Sequence, residues 1–325
     1  MTSKKPGETR IVFATDIHGS ESTFRKFLNG TKFYRADVLV LGGDITGKKI
    51  VPVVQQSDGT WKSMFVGQEH RVKTTSELDQ LERAIKTTGS YVARMSQAQY
   101  ETLQADAKKQ DELFRSLMKE TVLSWMALAE ERLKETNVTC YVTGGNDDFQ
   151  EIIDAIKDTE HVRNPDGKVV YIDDVHEMAS IGWGNSTPWK TPRECNEEEL
   201  TGRIESLVNS VKEFANTIFN FHVPPFNSEL DTCVKLDESV YPPKPMLIGG
   251  QVVSFPAGSK AIRNAIERYQ PLLGLHGHIH EPRAATKIGR TLCINPGSEY
   301  EEALLRGVIV NLRDKKVLSH QFVTG

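Results

Sequence analysis

The chain has 325 residues, a formal net charge of -4 and 26% charged residues, an ordinary composition for a globular protein with a sizeable core. This charge gives no general attraction to nucleic acids or anionic membranes, and no basic and aromatic cluster indicates a dedicated nucleic-acid face. No apolar run approaches the ~20 residues needed to cross a bilayer. The four scattered cysteines and the polar amino-terminal segment, which lacks a signal-peptide pattern, predict a soluble cytoplasmic protein.

The first elements predict a layered α/β fold. Residues 11–14 form a short β-rich run, 20–28 predict an amphipathic helix, and 38–41 are fully apolar, as in a strand buried on both faces. A β-α-β order of this kind is typical of layered α/β domains. We predict one domain over 1–325.

An insertion at about 48–136 interrupts this alternation. Residues 51–72 predict a short β-hairpin, and 76–136 predict an overwhelmingly helical segment, so the insertion is expected to be mostly helical. Apolar residues recur there at helical spacing: Phe114, Leu117, Met118, Trp125, Leu128 and Leu133. This stripe favours packing against the body, and a cap over a site or a contact between two copies are the alternatives.

The strand pattern resumes at 138–142 and again at 218–221, with amphipathic helices predicted at 197–214 and 259–269. Residues 224–256 are rich in proline, glycine and polar side chains and predict a long irregular loop. A loop of that length inside a compact domain is usually functional or mobile.

Five short polar motifs follow apolar runs, in order along the chain: Asp16-Ile17-His18, Gly42-Gly43-Asp44, Gly145-Asn146-Asp147-Asp148, His222 and Gly277-His278-Ile279-His280. A fold that brings strand ends together therefore brings these side chains together. Each motif alone is more often structural, but the ordered series offers seven oxygen and nitrogen ligands, which suit two ions. Carboxylate and imidazole together favour Mn, Fe or Zn. The series predicts a two-metal hydrolytic site.

Gly42 to Lys48 also matches the start of a phosphate-binding P-loop, G-x-x-x-x-G-K. Lys49 stands where that loop needs Ser or Thr, and Asp44 would place a carboxylate against phosphate, so the match is rejected. Lys48 and Lys49 lie just beyond Asp44 and are candidates to approach a phosphate, although exposed surface lysines are the simpler interpretation. Trp183, Asn185, Trp189 and Lys190 are similarly either substrate contacts or rim packing.

With these motifs and the following Asn295-Pro296-Gly297-Ser298 in view, the chain resembles the calcineurin-like metallophosphoesterase superfamily. The resemblance covers the chain outside the insertion and the 224–256 loop. It implies a four-layer αββα sandwich, with two sheets flanked by helices and a dinuclear site at the strand ends. It also implies a phosphoric ester hydrolase, a phosphatase or phosphodiesterase, that acts on a small phosphate ester or a nucleotide.

The resemblance also assigns roles to residues. It implies seven metal ligands in three groups: Asp16, His18 and His280 on one ion; Asn146, His222 and His278 on the other; and Asp44 on both. The two divalent or trivalent ions would be Mn, Fe, Zn or a mixture, and a hydroxide bridging them would attack phosphorus. Asn146 and Asp147 would also face the substrate, and Asn295 to Ser298 would support the His278 loop.

One position departs from the family pattern. Most members read Gly-Asn-His-Asp or Gly-Asn-His-Glu, and that His contacts phosphate and protonates the leaving oxygen, whereas this chain has Asp147 there. An ionised Asp cannot donate a hydrogen bond. Either Asp147 is protonated and acts as the acid, or the leaving group needs little help, which favours diesters and good leaving groups. The alternative function is a weakly catalytic metal-binding scaffold, like the retromer-subunit branch of the superfamily.

Overall fold

A computed structural model describes residues 7–237, 239–240 and 243–325. Within these ranges the α-helices are α1 Glu21–Phe33, α2 Thr75–Thr87, α3 Gln97–Gln104, α4 Ala107–Leu133, α5 Gln150–Ile153, α6 Glu197–Val208 and α7 Lys260–Tyr269, and the 3-10 helices are Phe214–Asn216 and Tyr300–Glu302. Most of the α-helices begin where the sequence provides a side-chain cap. Ser20, for example, accepts a hydrogen bond from the Thr23 amide, and Thr74 and Glu77 form a reciprocal capping box at the start of α2.

The strands, in chain order, are β1 Thr9–Ala14, β2 Val38–Leu41, β3 Lys49–Gln55, β4 Trp61–Phe65, β5 Gln68–Val72, β6 Ser90–Ser96, β7 Thr139–Val142, β8 Val162–Arg163, β9 Val169–Tyr171, β10 Glu177–Ile181, β11 Gly184–Asn185, β12 Glu194–Cys195, β13 Thr217–Phe221, β14 Thr232–Val234, β15 Leu236–Asp237, β16 Lys244–Pro245, β17 Leu247–Ile248, β18 Gln251–Val252, β19 Ser254–Pro256, β20 Leu273–Leu275, β21 Ala284–Ile288, β22 Thr291–Asn295, β23 Arg306–Arg313 and β24 Lys316–Thr324.

Two six-stranded mixed sheets form the centre of the molecule. The first has the order β24-β23-β1-β2-β7-β8, in which β1, β2, β7 and β8 run parallel. The second has the order β21-β22-β20-β13-β10-β9, in which β10, β13, β20 and β22 run parallel. In both sheets antiparallel strands lie at the outside, and the parallel strands bring several carboxyl ends to one edge.

Apolar side chains divide the sandwich into four layers. One buried cluster includes Phe13, Val40, Ile218 and Leu275 and lies between the two sheets. A second covers the outer face of the first sheet with α1 and α4, and a third covers the outer face of the second sheet with α6 and α7. The predicted αββα sandwich is therefore confirmed.

The insertion contains its own sheet, in the order β5-β4-β3-β6, and the prediction of an overwhelmingly helical segment over 76–136 missed the strand β6. The strand β6 pairs in parallel with the whole of β3, from Lys49 with Ser90 to Gln55 with Ser96. The helix α2 packs on one face of this sheet, and α3 and α4 pack on the other. The stripe on α4 lies in the cluster that covers the first sheet, which agrees with the packing interpretation.

The segment 224–256, predicted as an irregular loop, contains short antiparallel pairs: β14 with β19, β15 with β16, and β17 with β18. Part of the predicted loop, 238 and 241–242, lies outside the described residues. Across the ranges that the structure describes, no helix combines the length and the apolar character needed to cross a membrane.

Candidate metal centre

The predicted ligands follow five parallel strands whose carboxyl ends meet at one edge of the sandwich. Asp16 and His18 follow β1, Asp44 follows β2, and Asn146 follows β7, all in the first sheet. The second sheet contributes His222 directly after β13, and His278 and His280 after β20. The structure thus brings together all seven side chains that the sequence singled out.

Four of these residues have left-handed backbone conformations that L-residues rarely adopt. The φ angle is 54° at Asp16, 38° at His18, 49° at Asp44 and 66° at His278. Backbone hydrogen bonds hold two of these turns together, since the Asp16 amide donates to the Gly43 carbonyl at 2.9 Å and the His18 amide to the Asp44 carbonyl at 3.0 Å. Such conformations cost free energy and recur where side chains must be aimed at a site.

Asp16, His18 and His280 form the first cluster. The Nε2 atoms of His18 and His280 are 3.1 Å apart, and Asp16 Oδ1 lies 4.0 Å and 3.4 Å from them, respectively. His18 and Asp16 are almost completely buried, whereas the His280 side chain is 31% exposed. The cluster is therefore reachable from solvent on the His280 side.

Asn146, His222 and His278 form the second cluster. His278 Nδ1 lies 2.7 Å from Asn146 Oδ1, and the His222 and His278 rings meet edge to face with their centroids 5.7 Å apart. The amide nitrogen of Asn146 donates to Thr191 Oγ1 at 2.9 Å, so the amide oxygen is turned toward the histidines. Asn146 and His222 are buried, whereas His278 is partly exposed.

Asp44 lies between the two clusters and presents one oxygen to each. Its Oδ2 is 3.8 Å from His18 Nε2, and its Oδ1 is 3.4 Å from His222 Nε2. The Asp147 amide also donates to Asp44 Oδ1 at 2.9 Å, which fixes the carboxylate. This is the arrangement required of a carboxylate that bridges two ions.

Glycines let the loops approach so closely. A Cβ on Gly43 would lie 2.5 Å from His222 Nδ1, and a Cβ on Gly145 would lie 2.1 Å from Asp44 Oδ1. A side chain at either position would displace a predicted ligand, which explains why glycine stands there in these motifs.

Charge and burial set the protonation of the cluster. Burial lowers the pKa of His222, but the negative charges of Asp44 and Asp16 outweigh it and raise the pKa to about 9. Burial raises the pKa of Asp16 and of Asp44, but the His222 charge contributes to holding both below the ordinary value. Burial, followed by the His222 charge, lowers the pKa of His278 to about 4. Ionised carboxylates and neutral imidazoles are the forms that bind metals, so an ion bound here would have to displace the proton that the two carboxylates hold on His222.

The donor set fits metal ions better than a hydrogen-bond network. His222 Nε2, the ring nitrogen that faces Asp44 and Asp16, is buried and makes no hydrogen bond to any residue that the structure describes. Buried polar atoms without partners are rare and cost about 1–3 kcal/mol each. Six of the seven predicted ligands form two groups, Asp16 with His18 and His280, and Asp44 with His222 and His278, and within each group one donor atom from each residue lies within 4.8 Å of the others.

Asp147, the third residue of the Gly145–Asp148 motif, is paired with Lys48. Lys48 Nζ lies 2.6 Å from Asp147 Oδ2, and His18 Nδ1 lies 3.8 Å from the same oxygen. Burial and the nearby charge of Asp44 raise the pKa of Asp147 to about 6, against the opposing effect of Lys48. The sequence analysis named both residues but did not connect them.

Several supporting residues hold the ligand loops in place, and the sequence analysis identified only some of them. Asp148, the last residue of the third motif, accepts hydrogen bonds from the Ile45, Thr46 and Gly145 amides and so joins two motifs. Asn295 donates to the Gly277 and Ile279 carbonyls, and Ser298 Oγ to the Asp16 carbonyl, as expected for a supporting turn.

Thr191 and Tyr300 were missed. Thr191 orients Asn146, and the Tyr300 ring lies 4.7 Å from the His18 ring. No sequence signal distinguished either residue, although Thr191 follows the tryptophan-containing loop that was singled out. In that loop Trp183 stacks on Arg203, with the guanidinium 3.8 Å from the ring centre, which agrees with rim packing. Trp189 is 59% exposed.

Comparison with known proteins establishes the fold. No protein-family model matches the chain. A curated relative, an uncharacterized protein of Methanocaldococcus jannaschii, is 35% identical over 154 residues, which span 47% of this chain and 61% of the relative. The crystal structure of TT1561 of Thermus thermophilus superposes with a TM-score of 0.52 at 12% identity, over 98% of both chains.

A structure described as a novel archaeal phosphodiesterase is a more distant neighbour, with a TM-score of 0.33 and 10% identity over 98% of this chain and 100% of that one. At these identities structural likeness concerns the fold alone. The likeness to TT1561 supports the α/β sandwich predicted from the sequence.

Proposed function

We propose that the protein is a dinuclear metal-dependent phosphoesterase that hydrolyses phosphate esters, with preference for diesters or esters of good leaving groups. The observation that carries this proposal is the placement of Asp44, whose two oxygens face two separate histidine clusters. A carboxylate in this position holds two ions at once, and two neighbouring ions are typical of phosphoester hydrolysis.

In this proposal Asp16, His18 and His280 hold one ion, Asn146, His222 and His278 hold the other, and Asp44 binds both. Divalent ions held there would lower the pKa of bound water and neutralise the phosphoryl oxygens. The protein supplies rigid ligand geometry: left-handed turns at Asp16 and Asp44 are locked by backbone hydrogen bonds before any substrate arrives.

The proposed preference for good leaving groups comes from Asp147. Its Oδ2 already accepts the Lys48 ammonium at 2.6 Å, so this side chain is engaged as an acceptor. An aryl leaving group departs as a stable anion and needs no proton from the enzyme, whereas an alkyl alkoxide does. Metal electrostatics and positioning would then supply most of the rate.

The test is the release of nitrophenol from bis(4-nitrophenyl) phosphate in the presence of Mn²⁺, with metal content measured on the same sample. We expect about two ions per chain and metal-dependent release. Asp44→Asn keeps the side-chain shape but weakens the ligand to both ions, so hydrolysis should be abolished. Two bound ions without hydrolysis would instead favour the scaffold alternative.

A second variant tests the leaving-group argument. Asp147→His restores the residue found at this position in most family members, and it should raise the rate for an alkyl phosphate relative to that for an aryl phosphodiester. An unchanged ratio of the two rates would show that position 147 does not limit proton donation.

Two further proposals accompany this function. The cysteines Cys140, Cys195, Cys233 and Cys293 are all unpaired, which supports a reducing location such as the cytoplasm. The insertion exposes Met64 and Val66, which supports contact between two copies through this region. Sedimentation of the purified chain would show whether it forms dimers.

A further inference from the structure

The junction between the sandwich and the insertion places a cation beside the candidate metal centre. Lys48 immediately precedes β3, the first strand of the insertion, and the preceding Gly47 amide is anchored by a 2.7 Å hydrogen bond to the Tyr91 hydroxyl on β6. The Lys48 side chain is 44% exposed, but its ammonium lies 2.6 Å from Asp147 Oδ2. The cation therefore comes from the insertion and reaches the ligand loops.

Asp147 holds this ammonium in a fixed place. The Asp147 amide is bonded to Asp44 Oδ1 at 2.9 Å, and its side chain is 15% exposed, so this carboxylate has little freedom. An ammonium has three N–H donors, and the ion pair with Asp147 needs only one of them. Burial opposes the charge, but Asp147 and Asp44 outweigh it and hold the pKa of Lys48 above its ordinary value.

A groove about 480 Å³ in volume runs from Lys48 across the insertion. Its apolar wall is formed by β3, α3 and α4, through Ile50, Pro52, Tyr100, Leu103 and Phe114, and Gln104, Gln110 and Asp111 line the groove with polar groups. The volume is in the range that receives a small organic molecule. Lys48 connects this groove to the ligand loops, because it lines the groove and pairs with Asp147.

We propose that Lys48 binds the phosphoryl group of the substrate from the insertion side, and that the groove beside it receives the organic group of the ester. This inference rests on the proposed phosphoesterase function and names its substrate class: phosphate esters whose organic group has both an apolar face and polar groups, such as a substituted aromatic ring or a base. Asp147 acts as a positioning residue, because it holds the ammonium rather than contacting phosphorus.

A purely structural Lys48–Asp147 pair would predict different behaviour. It would contribute to folding stability but not to phosphate affinity, and the pair is partly exposed, so its contribution to stability should be small. Phosphate affinity therefore separates the two roles.

The first experiment measures binding of inorganic phosphate to the Mn²⁺-loaded protein by calorimetry. Lys48→Met should weaken binding about ten- to hundredfold, as for loss of a hydrogen bond to a charged group. Lys48→Arg keeps the charge and should retain most of the affinity. Lys49→Met is the matched control, since Lys49 is the exposed neighbour of Lys48. The affinity of this variant for inorganic phosphate should equal that of the wild type.

The second experiment fills the groove without touching the metal centre. Ala107 is exposed at the start of α4 and lines the groove, so Ala107→Trp should raise KM for bis(4-nitrophenyl) phosphate about tenfold while leaving the Kd for inorganic phosphate unchanged. Ala98→Trp is the control, because Ala98 lies exposed on α3 and does not line the groove. Thermal unfolding of all variants checks that each is folded.

The outcomes separate this inference from the proposed function. If wild-type hydrolysis is metal-dependent but Lys48→Met and Ala107→Trp behave like the wild type, the inference is overturned and the phosphoesterase function stands. If the wild type binds Mn²⁺ but hydrolyses nothing, the proposed function fails. The phosphate affinity of Lys48→Met compared with that of the wild type would still test whether Lys48 binds phosphate. Reduced metal content in Lys48→Met would also overturn the inference, because it would place Lys48 in metal-site assembly.

Discussion

The strand-end loops and the insertion differ in the burial of their polar side chains and in their backbone geometry. In the loops almost every functional side chain is buried, several backbone turns are left-handed, and glycines leave no space for a Cβ. In the insertion many polar contacts are exposed ion pairs and caps, for example between Arg71 and Asp58. The first region can be changed very little without loss, whereas the second tolerates change at most positions.

This difference assigns the two regions different tasks. A metal centre needs fixed ligands, and the parallel strands of the sandwich provide them at one edge. A pocket for the organic group of a substrate can vary with that group, and the insertion supplies such a surface beside the site at Lys48. Functional residues commonly lie in loops that a rigid scaffold positions. Here the scaffold has two parts that differ in their tolerance to substitution.

The largest expected effect compares a buried ion pair of the sandwich with an exposed one of the insertion. Arg193 is fully buried, its guanidinium pairs with Asp166 at 2.7 Å, and its amide donates to the Asn146 carbonyl. Arg193→Met leaves Asp166 without its partner and should lower the free energy of unfolding by about 3–5 kcal/mol in urea denaturation. Arg94→Met breaks the half-exposed pair with Glu82 and should cost about 1 kcal/mol or less.

A control for the buried pair removes both charges. Asp166→Asn in the Arg193→Met background should recover part of the lost stability, because no uncompensated charge remains. Equal costs for Arg193→Met and Arg94→Met would show that the two regions do not differ in tolerance.

The second prediction compares two glycines. Gly145→Ala puts a Cβ 2.1 Å from Asp44 Oδ1 and 2.7 Å from His222 Nε2, so ligands must move and hydrolysis should fall by about 100-fold or more. Gly59, in the turn between β3 and β4, has no atom near its Cβ position but has a φ of +82°. Gly59→Ala should therefore cost about 1 kcal/mol in stability and leave activity unchanged.

Metal analysis of Gly145→Ala shows where the effect arises. A lower metal content would mean that the bridging carboxylate is displaced, as expected from the contact with Asp44. Full activity in this variant would show that the ligand loops can move to accommodate the added Cβ, contrary to what their close packing indicates.

The sequence predicted the loops better than the insertion for physical reasons. Fully apolar runs such as 38–41 indicate strands buried on both faces, and ligands that follow them must lie at strand ends. The strand β6 is buried at alternating positions and is stabilised by parallel pairing with β3. This pairing is a long-range contact, so the sequence of β6 alone does not predict it. The pairing of Lys48 with Asp147 has the same origin, since only the folded chain brings the insertion to the third motif.

The smallest expected effect is a difference in pH dependence between the two regions. In the sandwich, His176 Nδ1 lies 2.6 Å from Asp173, and although burial lowers the pKa of His176, the pairing with Asp173 outweighs it and raises that pKa above the ordinary 6.5. A raised folded-state pKa stabilises the protein fully below the unfolded-state value, and this contribution is lost as the pH rises through the folded-state value.

In the insertion, hydrogen bonds from the Lys73 and Thr74 amides lower the pKa of Glu77 below 4.5, so its contribution is present at neutral pH and is lost on acidification through the lowered value. Raising the pH above 6.5 should therefore weaken the sandwich and not the insertion. His176→Gln should remove the part of this alkaline loss that comes from His176, with a Tm difference of about 2 °C from the wild type across that transition, while the part that comes from His222 remains. An alkaline loss equal to that of the wild type would contradict the assignment to the pair of His176 with Asp173.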